Sequence, residues 1–420
     1  MKKIWKNYKK SIVLLIGLIV GAIVGIIFKD KAKYLAPFGD IFINMLLVII
    51  VPLIFLTITT SIAKLKQPKR LGKVMITIFA SFLVTSLIAV GIGLLVTNNV
   101  KLINPKDTNA IMKEMVEDVE VTSNEETGYL FYANKVVDMV TVSDFASILS
   151  KQNIVAIIVF AILVGFAINK VGKEADQFLN FLESANKVVI KIVDILFIYA
   201  PIGLGCYFAA LVGTFGKEIS TGFLKTFIIY TIVAILYYVI VYSLYAFIAG
   251  GKDGVKRFWQ NIMPATVTSL STCSSAASIP ANMDCAKKIG VSNDIAETMI
   301  PLGTSFHKDG SVIGSVFKIM FLVYLMGTHH SIWFIIIVSL LATILITAVP
   351  VGGGTISESL ILSMMGFPLA ALPILTIIAA VIDPGATLLN VVGDTSSSMV
   401  VARIVDGKNW YKEKASTKKS

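Results

Sequence analysis

Four side chains in the second half of the sequence, Asp309, Asp383, Asn390 and Asp394, could bind an ion or a charged solute. Each of them lies in a long apolar run, where an ionisable group costs from about 2.5 kcal/mol upward and is expected to be functional. Asp383, Asn390 and Asp394 are separated by seven and four positions, so they share one face of a helix. Hard cations prefer oxygen donors, and carboxylates also pair with ammonium groups. The pattern therefore predicts a site for a zwitterion or a small cation.

Long hydrophobic helices must position these side chains. The chain has 420 residues, of which 56% are hydrophobic and 15% are charged, whereas a typical soluble domain is about 25% charged. The surplus apolar surface must face lipid, so spans of about 20 apolar residues are expected. The predicted fold class is an all-α integral membrane protein with eight long runs: 11–28, 37–63, 74–97, 153–169, 183–213, 222–249, 292–327 and 370–405.

The charges of the connecting segments predict how the chain is oriented. Basic residues collect on the cytoplasmic side of a membrane, and both the N-terminal MKKIWKNYKK and the C-terminal KNWYKEKASTKKS are basic. The linker KLKQPKRLGK after the second run is also basic, whereas the segment 101–145 after the third run is acidic. The sequence therefore predicts a multi-pass protein of the cytoplasmic membrane with both termini in the cytoplasm.

Two further runs, 257–285 and 333–366, are apolar but interrupted by small and polar residues. Charge alternation is consistent only if neither run crosses, so each is predicted to be a re-entrant helical hairpin. The tips are residues 271–278, STCSSAAS, and 348–355, AVPVGGGT, where helix is broken by Pro350, Gly352, Gly353 and Gly354. Non-helical backbone at membrane depth is tolerated only inside protein or beside a polar cavity. Helix ends that meet there are typical of the binding site of a secondary transporter.

Several other functions are disfavoured by the sequence. The net charge of +11 lies beside the apolar runs rather than on one soluble face, so nucleic acid is not an expected partner. Cys206, Cys273 and Cys285 have neither metal-ligand nor disulfide spacing and are interpreted as small apolar residues. His329 and His330 are interpreted as part of a polar loop. No Gly-x-Ser-x-Gly elbow or nucleophile–base pair indicates an enzyme, no cofactor is expected, and the first run has no cleavage site behind it.

Two other classes of membrane protein stay open as alternatives. A channel would pass ions without concentrating a solute, whereas a symporter couples the two movements. A sensor would bind a solute without moving it. Both are less favoured than a transporter, because both hairpins have complete tips.

The motifs resemble one family closely. From Thr266 to Lys408 the chain contains, in order, the serine-rich first tip, SIPANM, PLGTSFHKDGS, the Pro-Gly second tip and DPGATLLNVVGD. This order resembles that of the dicarboxylate/amino acid:cation symporters, the glutamate-transporter family. NMLLVIIVPLIFLTITTSIAKLKQPKRLGK and YAPIGLG extend the similarity into the first half. The resemblance implies a homotrimer in the lipid bilayer, with a static scaffold and a transport domain that moves like an elevator.

The resemblance also implies a division of the chain. Scaffold helices 1 and 2 would occupy 1–73, and 74–97 would be the third helix, which belongs to the transport domain. The segment 98–250 would hold an extracellular loop and helices 4–6. The transport core, with both hairpins and helices 7 and 8, would span 251–407, followed by a basic cytoplasmic tail, 408–420.

Residue roles follow from the same resemblance. Asp383 matches the aspartate that holds the substrate's amino group, Asp394 matches a sodium-site carboxylate, and Asn390 touches both sites. The implied substrate-binding residues are Ser274, Ser275, Ser311, Asp383, Ala386, Thr387 and Asn390. The implied cation ligands, Na⁺ or H⁺ being the coupling ion, are Thr85, Ser86, Gly303, Ser305, His307, Asp309, Asn390 and Asp394, with Gly303, Ser305 and His307 contributing backbone carbonyls. Pro350, Gly352, Gly353 and Gly354 would form the extracellular gate.

Two departures from the family pattern bear on the substrate and on the coupling ion. The arginine that pairs with an acidic side chain is replaced by Ala386, which favours a small neutral amino acid, because only Arg offers a bidentate fork to a carboxylate. The alternative is that Lys308 supplies the missing charge for an acidic amino acid or a dicarboxylate.

The second departure is His307-Lys308-Asp309-Gly310-Ser311, where the family has Asn-Met-Asp-Gly-Thr. One hypothesis is that Lys308 occupies or repels one cation site, so that fewer sodium ions are coupled. Because burial readily changes the pKa of Lys and His, proton coupling is then an alternative to sodium coupling. The other interpretation is that Lys308 points away and pairs with another carboxylate.

Overall fold

The structure is a computed structural model that describes residues 2–63, 72–103, 137, 141–150, 153–215, 217–344 and 353–411. Within these ranges every regular element is helical, which confirms the all-α prediction. The first half contains α1 (Lys2–Phe28), α2 (Ala36–Ala63), α3 (Gly72–Asn99), α4 (Phe145–Ile148), α5 (Ile154–Val171), α6 (Asp176–Phe215) and α7 (Lys217–Leu236). The 3₁₀ segments Lys29–Leu35 and Gly172–Ala175 join α1 to α2 and α5 to α6.

The second half alternates long helices with shorter, broken ones. A π-helical turn, Tyr237–Val241, joins α7 to α8. The following helices are α8 (Tyr242–Asn261), α9 (Met263–Thr272), α10 (Ser275–Ile289), α11 (Asn293–Phe306), α12 (Asp309–Met326), α13 (Ile332–Ile344), α14 (Gly353–Met365) and α15 (Leu372–Val405). A short 3₁₀ segment, Leu369–Ala371, precedes α15.

The described residues contain six helical stretches long and apolar enough to cross a membrane: Ile16–Thr60, Ile76–Asn99, Val155–Thr214, Ile219–Asn261, Asn293–Met326 and Leu369–Val405. The first and third stretches each overlap two of the predicted runs, so all eight runs overlap the six stretches. The chain is therefore built as a multi-pass membrane protein. The count of eight crossings with two re-entrant hairpins stays a prediction.

The helices pack in two groups. In the first group, α6 packs along α1 and α2, and α5 packs against α2. In the second group, α15 is the central helix, and it contacts α3, α7 through α12 and α14. The segment 98–250 thus contributes α5 and α6 to the first group, whereas α7 and α8 join the second. The division into scaffold and transport domains itself stays a prediction.

Glycines allow α1 and α6 to approach closely. Gly17 and Gly21 lie one turn apart on α1 and face the backbone of Pro201 and Gly205 on α6. A Cβ atom at Gly21 would overlap the Gly205 carbonyl oxygen. Small residues spaced by four positions are the usual means by which membrane helices bring their backbones together.

The first broken run folds as two helical arms, α9 and α10, which pack against each other over residues 263–289. Between the arms, Cys273 takes a left-handed conformation with φ 47° and ψ 36°, and Ser274 is extended. The helix break thus falls inside the predicted tip, 271–278, although the arms lie a few residues later than the predicted run, 257–285. The residues before Met263 belong to α8, which continues through a kink at Gly250 and Gly251.

The second broken run has α13 and α14 as its arms. Part of its predicted tip, including Pro350 and Gly352, lies outside the described residues. Gly353 and Gly354 were predicted to break helix, but they are the first residues of α14. Glycine is tolerated there because the first N–H groups of a helix have no intrahelical partner to lose.

The run 292–327 is not one continuous helix. It is divided into α11 and α12 by His307, with φ −114° and ψ 111°, and by Lys308, with φ −145° and ψ 64°. The break falls within the HKDGS motif. The break places His307, Lys308 and Asp309 in the interior of the protein, where the candidate site lies.

Candidate functional site

His307 lies at the centre of a fully buried polar cluster, which we call the histidine cluster: Thr85, His307, Asp309 and Asp394. The imidazole Nδ1 is 2.9 Å from Asp394 Oδ1, and Nε2 is 2.8 Å from Thr85 Oγ1. Nε2 is also 3.2 Å from Asp309 Oδ1, at ion-pair distance. The Phe82 ring stacks on the imidazole at 4.7 Å between centroids. Three helices and the α11–α12 break thus converge on one ring.

The backbone around the histidine cluster fits it closely. His307 N–H donates to Gly303 O over 2.8 Å, which ends α11. A Cβ atom at Gly303 would overlap the carboxylate of Asp394, so a larger residue cannot stand there without displacing that carboxylate. Ser86 is buried next to Thr85 on α3. The role of the Ser305 backbone carbonyl as a cation ligand stays a prediction.

Tyrosines from the sixth predicted run complete the surroundings of the cluster. The Tyr237 hydroxyl donates to Asp309 Oδ2 over 3.1 Å, and Tyr230 donates to Gly310 O over 2.8 Å. Tyr242 donates to Leu389 O over 2.6 Å. Tyr237 begins the π-helical turn, a feature often found at functional sites. The sequence analysis missed these residues, although hydroxyls repeated in an apolar run, YTIVAILYYVIVYSLY, could have signalled them.

A second polar pair joins α12 to α15. Asn390 Nδ2 donates to Ser311 Oγ over 3.0 Å, and Ser311 N–H donates to Asn390 Oδ1 over 3.2 Å. Thr387 Oγ1 donates to Asp383 Oδ1 over 3.4 Å, one turn earlier on α15. The predicted substrate residues of α12 and α15 are therefore neighbours, and Asn390 lies between Thr387 and Asp394.

The three aspartates differ sharply in exposure. Asp309 and Asp394 are 0% and 1% exposed, whereas Asp383 is exposed in the same polar region. A buried carboxylate needs internal partners. Asp394 has His307, and Asp309 has the Tyr237 hydroxyl on Oδ2 and the His307 ring at ion-pair distance from Oδ1. Asp383 has only the long Thr387 bond among the described residues. Of the three, Asp383 is the carboxylate that a solute can reach.

Ala386 stands where the resemblance places an arginine in the family. It is 7% exposed, and its backbone lies directly against Gly310, so that a Cβ atom at Gly310 would overlap Ala386 O. α12 and α15 therefore touch through their backbones at this point. No cation is presented from position 386, and a carboxylate there would need another partner.

The two serines at the tip of the first hairpin differ in their hydrogen bonds. Ser274 Oγ accepts the Ala277 N–H over 3.2 Å and caps α10, so this hydroxyl already has a role. Ser275 is the first residue of α10, and its hydroxyl makes no hydrogen bond to a described residue. Asn282 fixes the arm to α15 by donating to Val391 O over 2.8 Å and by accepting from Thr395.

Lys308 is 9% exposed and points into the same region. Its ammonium group interacts electrostatically with Asp394 and Asp383. No carboxylate among the residues that the structure describes lies within 4 Å of it. The predicted pairing of Lys308 with a different carboxylate therefore has no counterpart in the described part of the chain.

A buried ion pair that the sequence analysis missed lies further along α12. Lys318 Nζ is 3.6 Å from Glu358 Oε1, and Thr376 Oγ1 donates to Glu358 Oε2 over 2.7 Å. Lys318 and Glu358 are 5% and 1% exposed. The group joins α12, α14 and α15, so it ties the second hairpin to the central helix. Single charges inside VFKIMF and ISESLIL could have signalled it.

The fold and the site together define a class of protein. An all-helical membrane protein with broken helices and buried carboxylates at the breaks has the architecture of a secondary transporter. The model of the sodium:dicarboxylate symporter family matches residues 11–404, nearly the whole chain. The chain therefore belongs to the sodium:dicarboxylate symporter family, as the resemblance indicated. The family consists of transporters that couple a cation to the symport of dicarboxylates or amino acids.

Proposed function

We propose that this protein takes up a small neutral amino acid together with a cation across the cytoplasmic membrane. The observation that carries the proposal is the contrast between Asp383 and Ala386. Asp383 offers an accessible carboxylate to an ammonium group, whereas position 386 offers no cation to a second carboxylate. An uncompensated buried carboxylate is costly, so an acidic substrate would be disfavoured.

A specific observation favours a second candidate, an acidic amino acid or a dicarboxylate. Lys308 is buried without an ion-pair partner in the described part of the chain, and its ammonium interacts electrostatically with Asp383. A substrate carboxylate could pair with it. Lys308→Met separates the candidates, because it would abolish acidic-substrate binding under the second and spare neutral-substrate binding under the first.

Cation and substrate would bind cooperatively in either case. Asn390 bonds to Ser311 on the substrate side, and Asp394 of the histidine cluster lies one turn further along α15. Ordering one side orders the other, so a half-loaded protein would cross less readily than a fully loaded one. The two hairpins would gate the site, α3 and α7–α15 would move, and α1, α2, α5 and α6 would form the scaffold of a homotrimer.

The test is uptake into proteoliposomes of the purified protein. Labelled neutral amino acids, acidic amino acids and dicarboxylates would be presented under an imposed sodium gradient and, separately, under a proton gradient. We expect concentrative uptake of a neutral amino acid. Concentrative uptake of glutamate, aspartate or a dicarboxylate alone would favour the Lys308 candidate, and uptake of none of them would contradict both.

A further inference from the structure

Three of the residues that the family resemblance assigns to cation binding face the ring of His307. Thr85 Oγ1, Asp394 Oδ1 and Asp309 Oδ1 lie 2.8, 2.9 and 3.2 Å from the ring nitrogens. A hard cation is held by several such oxygens. In this chain the same three oxygens are already directed to an imidazole, so an ion among them would share its position with the ring.

The surroundings hold the ring in this position. Phe82 stacks almost parallel to it, at an interplanar angle of 14°. His307 is 0% exposed, and so is Asp309. Two glycines pack closely against the cluster. A Cβ atom at Gly303 would overlap the Asp394 carboxylate, and one at Gly393 would lie 2.8 Å from Tyr242 Oη and 3.1 Å from His307 Cε1. Turning the ring away would remove the contacts of two buried carboxylate oxygens, Asp394 Oδ1 and Asp309 Oδ1, and leaving such groups unpaired is costly.

Both ring nitrogens are occupied by these contacts. Nε2 lies within hydrogen-bond distance of Thr85 Oγ1, and Nδ1 lies within hydrogen-bond distance of Asp394 Oδ1. The Thr85 hydroxyl is also within reach of Phe82 O, at 3.1 Å. The imidazole therefore fills the space between oxygens that would otherwise be free to coordinate an ion.

We propose that the side chain of His307 fills the space between Thr85, Asp309 and Asp394, so that no sodium ion binds among these three residues. The assignment gives to His307 the role that the sequence analysis considered for Lys308. The inference rests on the proposed function, because it implies that transport is coupled to one sodium ion fewer than in the family pattern.

The test is sodium-dependent thermal stability of the purified full chain in detergent. NaCl would be titrated against choline chloride at constant ionic strength, without any substrate. His307→Asn restores the family residue at this position and frees the three oxygens. We expect it to lower the NaCl concentration for half-maximal stabilisation at least about tenfold, the lower end of the 10- to 100-fold changes typical of residues that support a metal site. His329→Asn, the same change in a loop, should behave like the unmodified protein.

An unchanged sodium response in folded His307→Asn would overturn the proposal. If that variant does not fold, a density map of the unmodified protein in NaCl decides. The proposal expects the ring between Thr85 and Asp394 with no ion beside it, and an ion between Asp309 and Asp394 with the ring turned away would contradict it. Neither readout needs a substrate or transport, so failure here is distinct from failure of the uptake assay.

Discussion

At the scale of single residues, we propose that Ala386 decides substrate choice. The resemblance places an arginine of the family at this position, one residue before Thr387 and within a turn of Asp383. We predict that Ala386→Arg gains binding of glutamate or aspartate by about 10- to 100-fold, because a hydrogen bond to a charged group contributes roughly 1.5–3 kcal/mol. Equilibrium binding of labelled substrate to purified protein measures this.

Ala386→Leu is the matched control, since it adds bulk against Gly310 without adding charge. If both variants bind acidic substrates as poorly as the unmodified protein does, the role given to position 386 is wrong. We expect that only Ala386→Arg gains binding of acidic substrates and that it loses binding of neutral ones.

The sequence predicted which residues form the site better than it predicted what their side chains do. Asp309, Asp394 and Thr85 were each predicted to be cation ligands, and the structure brings them together around His307. His307 was expected to contribute its backbone carbonyl, yet its ring occupies the centre. Sequence spacing does not determine a rotamer at a helix break, and only the packing of Phe82 and the two aspartates fixes it.

At the scale of elements, the second hairpin is tied to the core by the Lys318–Glu358 pair. We predict that Glu358→Gln lowers the free energy of unfolding by about 3–5 kcal/mol, because it leaves Lys318 as a buried charge without a partner. The double variant Lys318→Met/Glu358→Gln should recover part of that loss, since no unpaired charge remains. Thermal unfolding in detergent compares the three proteins, and equal stability of both variants would argue against a coupled pair.

The approach of α1 to α6 gives a second prediction for the elements. Gly21→Ala should destabilise the protein by about 1–3 kcal/mol, because the added methyl group overlaps the backbone of Gly205 and overpacks the contact. Gly91→Ala is the control, since nothing lies within 4 Å of a Cβ atom there and alanine is the better helix former. Similar melting temperatures for the two variants would contradict the close packing.

The elements also show where sequence patterns stop being informative. The eight hydrophobic runs were readable because each is long and apolar. The π-helical turn at Tyr237 and the division of the seventh run at His307 were not, because both are local changes inside runs that stay apolar on either side. They arise where buried tyrosines and carboxylates must find partners, a tertiary requirement that no local pattern records.

At the scale of the whole molecule, the central claim is coupling between a cation and a solute. α15 carries Asp383, Asn390 and Asp394, and it packs against both hairpins and α3. The same central helix thus carries residues of both proposed sites. Any motion that carries α15 would move the two sites together, which is what an elevator-like mechanism requires.

The most direct test of coupling begins with no substrate gradient. Proteoliposomes would hold labelled amino acid at the same concentration inside and outside, and a cation gradient would then be imposed, with the Asp383→Asn variant as the control. We predict net inward movement of the labelled amino acid, against its growing concentration gradient, for the unmodified protein and none for the variant. A cation gradient that dissipates without moving the solute would contradict symport and point to a channel.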